Sequence, residues 1–150
     1  MKRTIMMKKT RTEEDRLYPP DDLVIASGRV RLRSKTLADA KDDYAWQRDE
    51  ELARLDATEV LKMPFSEYLI NYVHYINAPP ATSVRFAVAT AEGRHIGNCT
   101  YYNIDTERGQ AEVGIMIGDR AYWEKGYGTE ALNAMLDYVF QNTSLNLLYL

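Results

Sequence analysis

Two closely spaced glycines mark the segment of this sequence that is best suited to chemistry. Gly126 and Gly128 lie within residues 123–129, between an apolar stretch and an amphipathic one. The first turn of a helix leaves backbone N–H groups unpaired at the positive end of its dipole, so a loop at this place can bind an anion such as a diphosphate. Glycine removes side chains that would keep phosphate oxygens from the backbone, and Lys125 would add a positive charge at the rim.

The glycine pair has two other interpretations. Many G-x-G pairs only form turns, and Gly126, Gly128 and Ala131 also fit the dinucleotide-binding pattern G-x-G-x-x-A of oxidoreductases. That fold needs parallel strands joined by helices, and an acidic residue about twenty positions further on. A hairpin pattern lies upstream instead, and residues 145–150 contain no acid. Both features argue against an oxidoreductase.

The loop lies between a predicted strand and a predicted helix. Residues 110–117 are the most apolar strand pattern in the sequence, which predicts a central place in a sheet. Residues 129–142 repeat apolar side chains three and four positions apart, which predicts a helix packed on that sheet. This stripe consists of Leu132, Met135, Leu136, Val139 and Phe140. Residues 145–150 are a further buried strand by the same criteria.

Upstream, the pattern alternates between strands and helices. Residues 29–33 have the period of a half-exposed strand near an edge, and residues 84–88 and 95–103 form a β-hairpin. Thr36 and Asp39 resemble a capping pair that opens a helix. A second helical stretch covers residues 49–55. Ser66 is expected to cap a third helix, with an apolar stripe of Leu69, Tyr72, Val73 and Ile76.

Composition excludes several classes of protein. The 150 residues are 45% apolar and 27% charged, which suits one soluble domain. The net charge of −3 gives no general attraction to nucleic acid. A single cysteine and two histidines argue against a disulfide or a metal centre. No apolar run reaches the roughly 18 residues of a membrane span, and no secretion signal opens the chain, so we expect a cytoplasmic protein.

We expect two regions along the chain. Residues 1–27 lack a hydrophobic period and are predicted to be a flexible N-terminal tail, while residues 28–150 form the folded domain. Residues 1–11 carry five basic side chains and no acidic one. This cluster is either a solvated arm or a contact for RNA or an acidic protein.

The loop and its surroundings resemble motif A of the GNAT superfamily of N-acetyltransferases. The string Y-W-E-K-G-Y-G-T-E-A-L at residues 122–132 is similar to the branch that acetylates ribosomal-protein N-termini. Trp123 stands where most of the superfamily has Gln or Arg. Residues 28–43 and the hairpin match as well. The resemblance implies a fold that combines helices and strands, of the α/β (α+β) class. Its central sheet is mixed, mostly antiparallel and flanked by helices.

The resemblance also implies a cosubstrate and a reaction. Acetyl-CoA would bind with its diphosphate on the amides of Glu124, Lys125, Gly126, Tyr127, Gly128 and Thr129, and with its pantetheine arm along Ile115, Met116 and Ile117. A backbone N–H, from Met116 or equally from Ile115, would polarise the thioester carbonyl. A primary amine, either a small molecule or a protein N-terminus, would then attack directly in a ternary complex.

A base must take a proton from that amine, because an alkylammonium has a pKa of about 10. Glu112 lies fourteen residues before Gly126, the spacing of the strand glutamate that serves as base in GNAT members resembling histone acetyltransferases. It shares a strand face with Gly114 and Met116. The alternative is a solvated glutamate paired with an arginine such as Arg108.

Other reactive residues are weaker candidates. Cys99 and His95 lie four apart on one predicted strand, but no orienting carboxylate is evident for a thiol mechanism. The first helical region, which borders the acceptor site in the GNAT superfamily, contains Trp46, Asp49 and Glu50. These acids either attract an ammonium or are ordinary surface charges.

The superfamily continues beyond the strand at residues 145–150 with a helix and a hairpin that supply a general acid. We therefore expect a fold truncated after its fifth strand, and we assign no general acid. A fragment, an obligate homo-oligomer and a non-catalytic CoA-binding or oligomerisation module all stay open as alternatives, because an uncovered apolar strand favours pairing with another chain.

Overall fold

A computed structural model describes residues 4–6 and 17–150 of the chain, built around one seven-stranded sheet. The sheet has the order β1-β7-β6-β5-β4-β3-β2, and within it only β6 and β7 pair in parallel. The strands are β1 (Thr4–Met6), β2 (Val24–Ser27), β3 (Val30–Ser34), β4 (Ser83–Thr90), β5 (His95–Asp105), β6 (Gln110–Ile117) and β7 (Leu147–Tyr149).

Four α-helices of the described residues lie on the two faces of the sheet. They are α1 (Ala40–Gln47), α2 (Glu50–Leu55), α3 (Phe65–Asn77) and α4 (Tyr127–Asn142). Helix α4 packs alone on one face, against β2, β3, β5 and β6, whereas α1, α2 and α3 form a group on the other. This is the predicted mixed, mostly antiparallel sheet flanked by helices, so the predicted fold class is confirmed.

The main core forms between α4 and the sheet, as the helical stripe predicts. Met135, Leu136, Val139 and Phe140 are buried there, and Leu132 is partly buried at its edge. They meet the alternate strand positions that face α4, among them Leu32, Phe86, Cys99 and Val113. Burying these aliphatic and aromatic groups is the main term that holds α4 on the sheet.

The opposite face is joined to its helices through buried charges. Lys35 Nζ lies 2.6 Å from Asp43 Oδ2, and both side chains are nearly inaccessible to solvent. Asn98 on β5 and Tyr72 on α3 each donate a hydrogen bond of 2.7 Å to Asp43. The carboxylate of Asp43 therefore connects the sheet to α1 and α3, and Lys35 balances its charge.

One local prediction needs correction. Helix α3 begins after Pro64 and not at Ser66, and it buries Tyr68 and Tyr72 while Val73 is exposed. Strand β3 lies next to the edge strand β2 and buries Val30 and Leu32 but not the residue between them, which confirms a half-exposed strand near an edge. The capping pair is confirmed, since the Asp39 carboxylate accepts a hydrogen bond of 2.8 Å from the Thr36 N–H.

The sheet also begins earlier than expected. Residues 4–6 and 24–27 form strands inside the range predicted as a tail, and Leu17 and Leu23 pack against the main core. Strand β2 is only four residues long and follows a Pro-Pro sequence, so it shows no periodicity that could identify it. The basic cluster of residues 1–11 lies mostly outside the described residues. Within the part that the structure describes, no helix is long and apolar enough to cross a membrane.

Candidate active site

A cleft of about 460 Å³ opens between the start of α4, the exposed edge of β6 and the end of α2. It collects eight of the nine residues that the sequence predicts as cofactor-binding: Ile115, Met116, Ile117, Glu124, Gly126, Tyr127, Gly128 and Thr129. The side toward α2 is formed by Leu52, Leu55 and Asp56, with Tyr122 and Trp123 beside the loop. The predicted anion-binding loop and the predicted thioester strand therefore face one common space.

The backbone of the loop presents its N–H groups to this cleft. Glu124 and Gly126 both have positive φ, 59° and 84°, which turns the chain sharply into α4. The first helical hydrogen bond runs from the Glu130 N–H to the Gly126 carbonyl. Among the described residues, no carbonyl or side chain accepts from the N–H groups of residues 127–129. Three donors at the positive end of a helix are thus open to a ligand.

Gly128 keeps the cleft wide between α4 and β6. A Cβ atom at this position would lie 3.6 Å from Ile117 and 3.8 Å from Ile115. These are ordinary contacts, so the protein could hold a methyl group there, but the group would fill the space between the helix and the strand. The glycine thus provides room in the cleft, and no backbone strain requires it.

The edge of β6 that faces the cleft has no partner strand. Parallel pairing with β7 ends at Glu112, opposite Tyr149, so residues 113–117 pair only with β5 among the strands described. Gly118 donates its N–H to Ile96 on the β5 side. The register from Ile117 to Glu112 is unbroken, so alternation turns the N–H of Met116 toward β5 and that of Ile115 toward the opening.

Trp123 fixes the loop to this edge. Its indole Nε1 donates a hydrogen bond of 2.6 Å to the Ile117 carbonyl. The carbonyl is therefore directed away from β5, as the alternation requires. The residue that departs from the usual motif thus has a clear structural role, which the sequence alone did not indicate.

Glu112 lies on the predicted face of β6 but outside the cleft. Its carboxylate is partly exposed and accepts a hydrogen bond of 2.5 Å from Asn103 Nδ2. Arg108, the alternative partner, lies 3.8 Å from Asp105. Four residues of strand separate Glu112 from Met116, roughly 13 Å at the rise of an extended chain. Glu112 is therefore too far from Met116 for direct contact with a group bound there.

Asp56 is a carboxylate in the cleft that the sequence analysis missed. It ends α2 and is one of the residues that line the cleft. No hydrogen bond or ion pair to its side chain is found among the described residues. Its place depends on how α2 packs against β6, so no spacing in the sequence could have identified it.

Lys125 is directed away from the cleft. Its ammonium donates a hydrogen bond of 2.8 Å to the Ala121 carbonyl, and Lys125 is not among the lining residues. Its carbonyl accepts from Arg29 at 2.9 Å. Lys125 therefore stabilises the turn, and the open donors of the cleft are main-chain groups.

The candidates for thiol chemistry face opposite sides of the sheet. Cys99 is buried under α4, with its sulfur 3.3 Å from that of Met135, and burial raises the pKa of the thiol to about 12. His95 lies on the α1 side, 3.0 Å from Asp42 and packed against the Trp46 ring. A Cys–His pair does not form.

Of the two acids predicted in the first helical region, Asp49 is already engaged, whereas Glu50 is exposed. Asp49 caps α2 through the Leu52 N–H and binds Arg120 at 2.8 Å, which holds the pKa of Asp49 near 2. Glu51 contacts the same guanidinium at 3.1 Å. Nearby, Trp46 lies across Gly118, where any side chain would collide with its ring. These groups anchor the turn before the loop.

Comparison with known proteins decides between the interpretations of the glycine loop. A family model described as the acetyltransferase (GNAT) domain matches residues 29–150. The chain belongs to the GNAT acetyltransferase family. The antiparallel order of β4, β5 and β6 agrees with this assignment and rules out the dinucleotide-binding fold, which needs parallel strands there.

Relatives of this GNAT domain carry names of the same class. The uncharacterized N-acetyltransferase p20 of Bacillus licheniformis is 31% identical over 120 residues, which are 79% of this chain and 66% of that protein. The chain therefore spans just under two thirds of the length of this relative.

Solved structures share the fold at lower identity. Spermidine N-acetyltransferase from Vibrio cholerae, in complex with CoA and spermine, has a TM-score of 0.65 at 21% identity, over 75% of this chain and 64% of that one. A protein named as a ribosomal-protein-serine acetyltransferase, also from Vibrio cholerae, has a TM-score of 0.63 at 23% identity, over 83% and 71%. At this identity the likeness concerns the fold.

Proposed function

We propose that this GNAT domain transfers the acetyl group of acetyl-CoA to a primary amine by direct attack. The observation that carries the proposal is the common cleft, where three open N–H groups of α4 lie beside the unpaired edge of β6. One part suits a diphosphate and the other suits an extended arm with a thioester at its end. The GNAT assignment supplies the chemistry that joins them.

The residues present fit the cosubstrate. The amides of residues 127–129 would hold the diphosphate, and the space that Gly128 leaves beside Ile115 and Ile117 would take the pantetheine arm. Because the open donors are neutral main-chain groups, binding depends on the geometry of the loop more than on a charged side chain.

Ile115 is the donor we assign to the thioester carbonyl. Its N–H faces the opening, whereas alternation turns that of Met116 toward β5. When the amine attacks, negative charge develops on the carbonyl oxygen, and a fixed N–H stabilises that charge without reorganisation. The nitrogen forms its bond to the acetyl carbon as the carbon–sulfur bond breaks, leaving CoA as the thiolate.

The carboxylates of Asp56 and Glu112 have different roles toward the acceptor amine in this proposal. Asp56 lines the cleft and would attract the ammonium form of the acceptor. Glu112, the base implied by the resemblance, would take the proton through water. The acceptor class is therefore a cationic amine, either a small one or a peptide N-terminus.

Kinetics of two variants separate these roles. D56N is expected to raise KM for the amine several-fold with kcat nearly unchanged, because it removes only attraction. E112Q is expected to lower kcat with KM for the amine nearly unchanged, because it removes the group that takes the proton. The reverse pattern would assign the base to Asp56.

Calorimetric titration with acetyl-CoA, followed by a thiol-release assay on a panel of polyamines and free-N-terminal peptides, tests the function itself. Binding with turnover is the expected result. Binding without turnover on any amine would instead identify a CoA-binding module. No binding at millimolar acetyl-CoA would overturn the proposal, and binding of NADH in its place would revive the oxidoreductase.

A further inference from the structure

Arg29 connects the turn before β3 to the first turn of α4. Its Nε lies 3.0 Å from Glu130 Oε2, and its backbone N–H donates to the other oxygen of Glu130 at 3.3 Å. Its Nη2 donates to the Lys125 carbonyl at 2.9 Å, and the guanidinium lies 4.1 Å from the centre of the Tyr127 ring. One side chain thus contacts three positions around the cleft loop.

Glu130 is the acidic residue in the first turn of α4. A carboxylate in that turn is attracted by the positive end of the helix dipole, and helix side chains lean toward the N-terminus, so a free Glu130 side chain could approach the unpaired N–H groups. A diphosphate at residues 127–129 would need those donors. An unrestrained Glu130 carboxylate would therefore compete with the cosubstrate for this end of the helix.

We propose, on the basis of the proposed function, that Arg29 is a positioning residue for the cosubstrate. It binds both oxygens of Glu130, holds this carboxylate against the β2–β3 turn and neutralises its charge. The three N–H groups then stay open for the diphosphate. Arg29 acts through Glu130 and does not contact the cosubstrate in this scheme.

The turn is shaped for this contact. Gly28 has a φ of 54°, and a Cβ atom there would collide with the carboxylate of Glu130. At Gly126 a Cβ atom would lie 3.4 Å from Arg29 Nη2. The glycines on both sides of the ion pair allow the two segments to approach.

The ion pair itself contributes little to the stability of the fold. The side chains of Arg29 and Glu130 are 49% and 25% exposed, and ion pairs this close to solvent have small effects on stability. Variants of Arg29 should therefore fold, and their effects on binding can be measured.

The test is a double-mutant cycle read by calorimetric titration with CoA. R29Q is expected to weaken CoA binding roughly three- to tenfold, the range of charge effects at a helix start. E130Q is expected to bind as tightly as the wild type or more tightly, and R29Q/E130Q to recover most of the loss. Steady-state kinetics should show the change in KM for acetyl-CoA and not in kcat.

R31Q is the matched control, because Arg31 lies in the same hairpin and, among the described residues, its side chain bonds only to the carbonyls of Gly28 and Val30. It removes the same charge and is expected to leave CoA binding unchanged. If R31Q loses as much affinity for CoA as R29Q does, the loss comes from the change in net charge alone. That result would overturn the proposal.

The other outcomes are also decisive. If R29Q binds CoA like the wild type, or if E130Q weakens binding and fails to rescue R29Q, Arg29 has no positioning role. If R29Q does not fold, E130Q alone decides, since tighter or equal binding supports competition and weaker binding contradicts it. A wild-type chain that does not bind CoA refutes the proposed function itself, which separates that failure from this one.

Discussion

Gly128 shows how a single missing side chain creates the cleft. The position lies inside α4, where glycine is a poor helix former compared with alanine. Its presence costs helix stability and leaves space beside Ile115 and Ile117. Such a residue is expected where binding, and not folding, sets the requirement.

G128A is therefore expected to separate stability from binding. The free energy of unfolding should stay equal or rise by about 0.5–1 kcal/mol, because alanine favours the helix. The affinity for acetyl-CoA should fall tenfold or more, because the methyl group would lie in the proposed path of the pantetheine arm. Denaturant unfolding and calorimetric titration of the same sample measure both quantities.

N133A is the control for this variant, since Asn133 is exposed on the same helix and does not line the cleft. It should show a similar gain in stability with unchanged binding. If G128A and the wild type bind acetyl-CoA with equal affinity, the pantetheine arm does not lie in this part of the cleft.

At the scale of single residues, the cleft loop could be predicted from the sequence. The N–H group that we assign to the thioester carbonyl could not. Glu124 and residues 126–129, which line the cleft, follow from glycine spacing before a helix. The choice between Ile115 and Met116 depends on which strand pairs with β6 and in which register, which no single segment encodes. Asp56 depends on tertiary packing in the same way.

At the scale of secondary-structure elements, the contact between the sheet and α1 depends on charged side chains that are buried. Asp43 accepts from Tyr72 and Asn98 while it faces Lys35. Burial lowers the pKa of Lys35, and the nearby carboxylate of Asp43 opposes this effect. Each partner is tolerable inside the protein only because the other is present.

Removal of one partner is expected to be costly. D43A leaves Lys35 buried without its counter-charge, and the free energy of unfolding should fall by about 3–5 kcal/mol. D42A, at the neighbouring and half-exposed position beside His95, should cost less than about 1 kcal/mol. Urea unfolding of both variants measures the difference, and similar losses would show that Lys35 finds another partner.

Most helices and strands could be predicted because their apolar patterns repeat over many residues. Helix α4 and the strands β4, β5 and β6 each repeat an apolar pattern over eight or more residues. Strand β2 has four residues and β1 has three, too few for a period, and both depend on a neighbouring strand for their hydrogen bonds. The sequence therefore predicted five of the seven strands that the structure describes, and it placed the first of them correctly near an edge.

For the whole molecule, the acid limit of stability depends on Asp39. Although burial alone would raise the pKa of Asp39, the Arg33 guanidinium at 2.8 Å and the Thr36 N–H lower it from 3.8 to about 2. The folded state therefore binds this proton less readily than the unfolded chain. The stabilisation is fully present above pH 4 and is lost as pH falls toward 2.

D39N should flatten this dependence. Between pH 4 and pH 2 the wild type is expected to lose about 2 kcal/mol of unfolding free energy through Asp39, and D39N should lack this part of the loss. Asp49, whose pKa is lowered in the same direction by Arg120, continues to contribute in both proteins. Chemical unfolding at a series of acidic pH values gives the two slopes, and parallel curves would contradict the assignment.

The N–H group of Ile115, which faces the cleft, also affects which substitutions this position tolerates during evolution. A donor that belongs to the peptide unit is supplied by nineteen of the twenty amino acids, and only proline lacks it. Mutational drift at this position is therefore restrained by what the isoleucine side chain packs against, beneath α4. A survey of invariant side chains would pass over the main-chain N–H group that we assign to the thioester carbonyl.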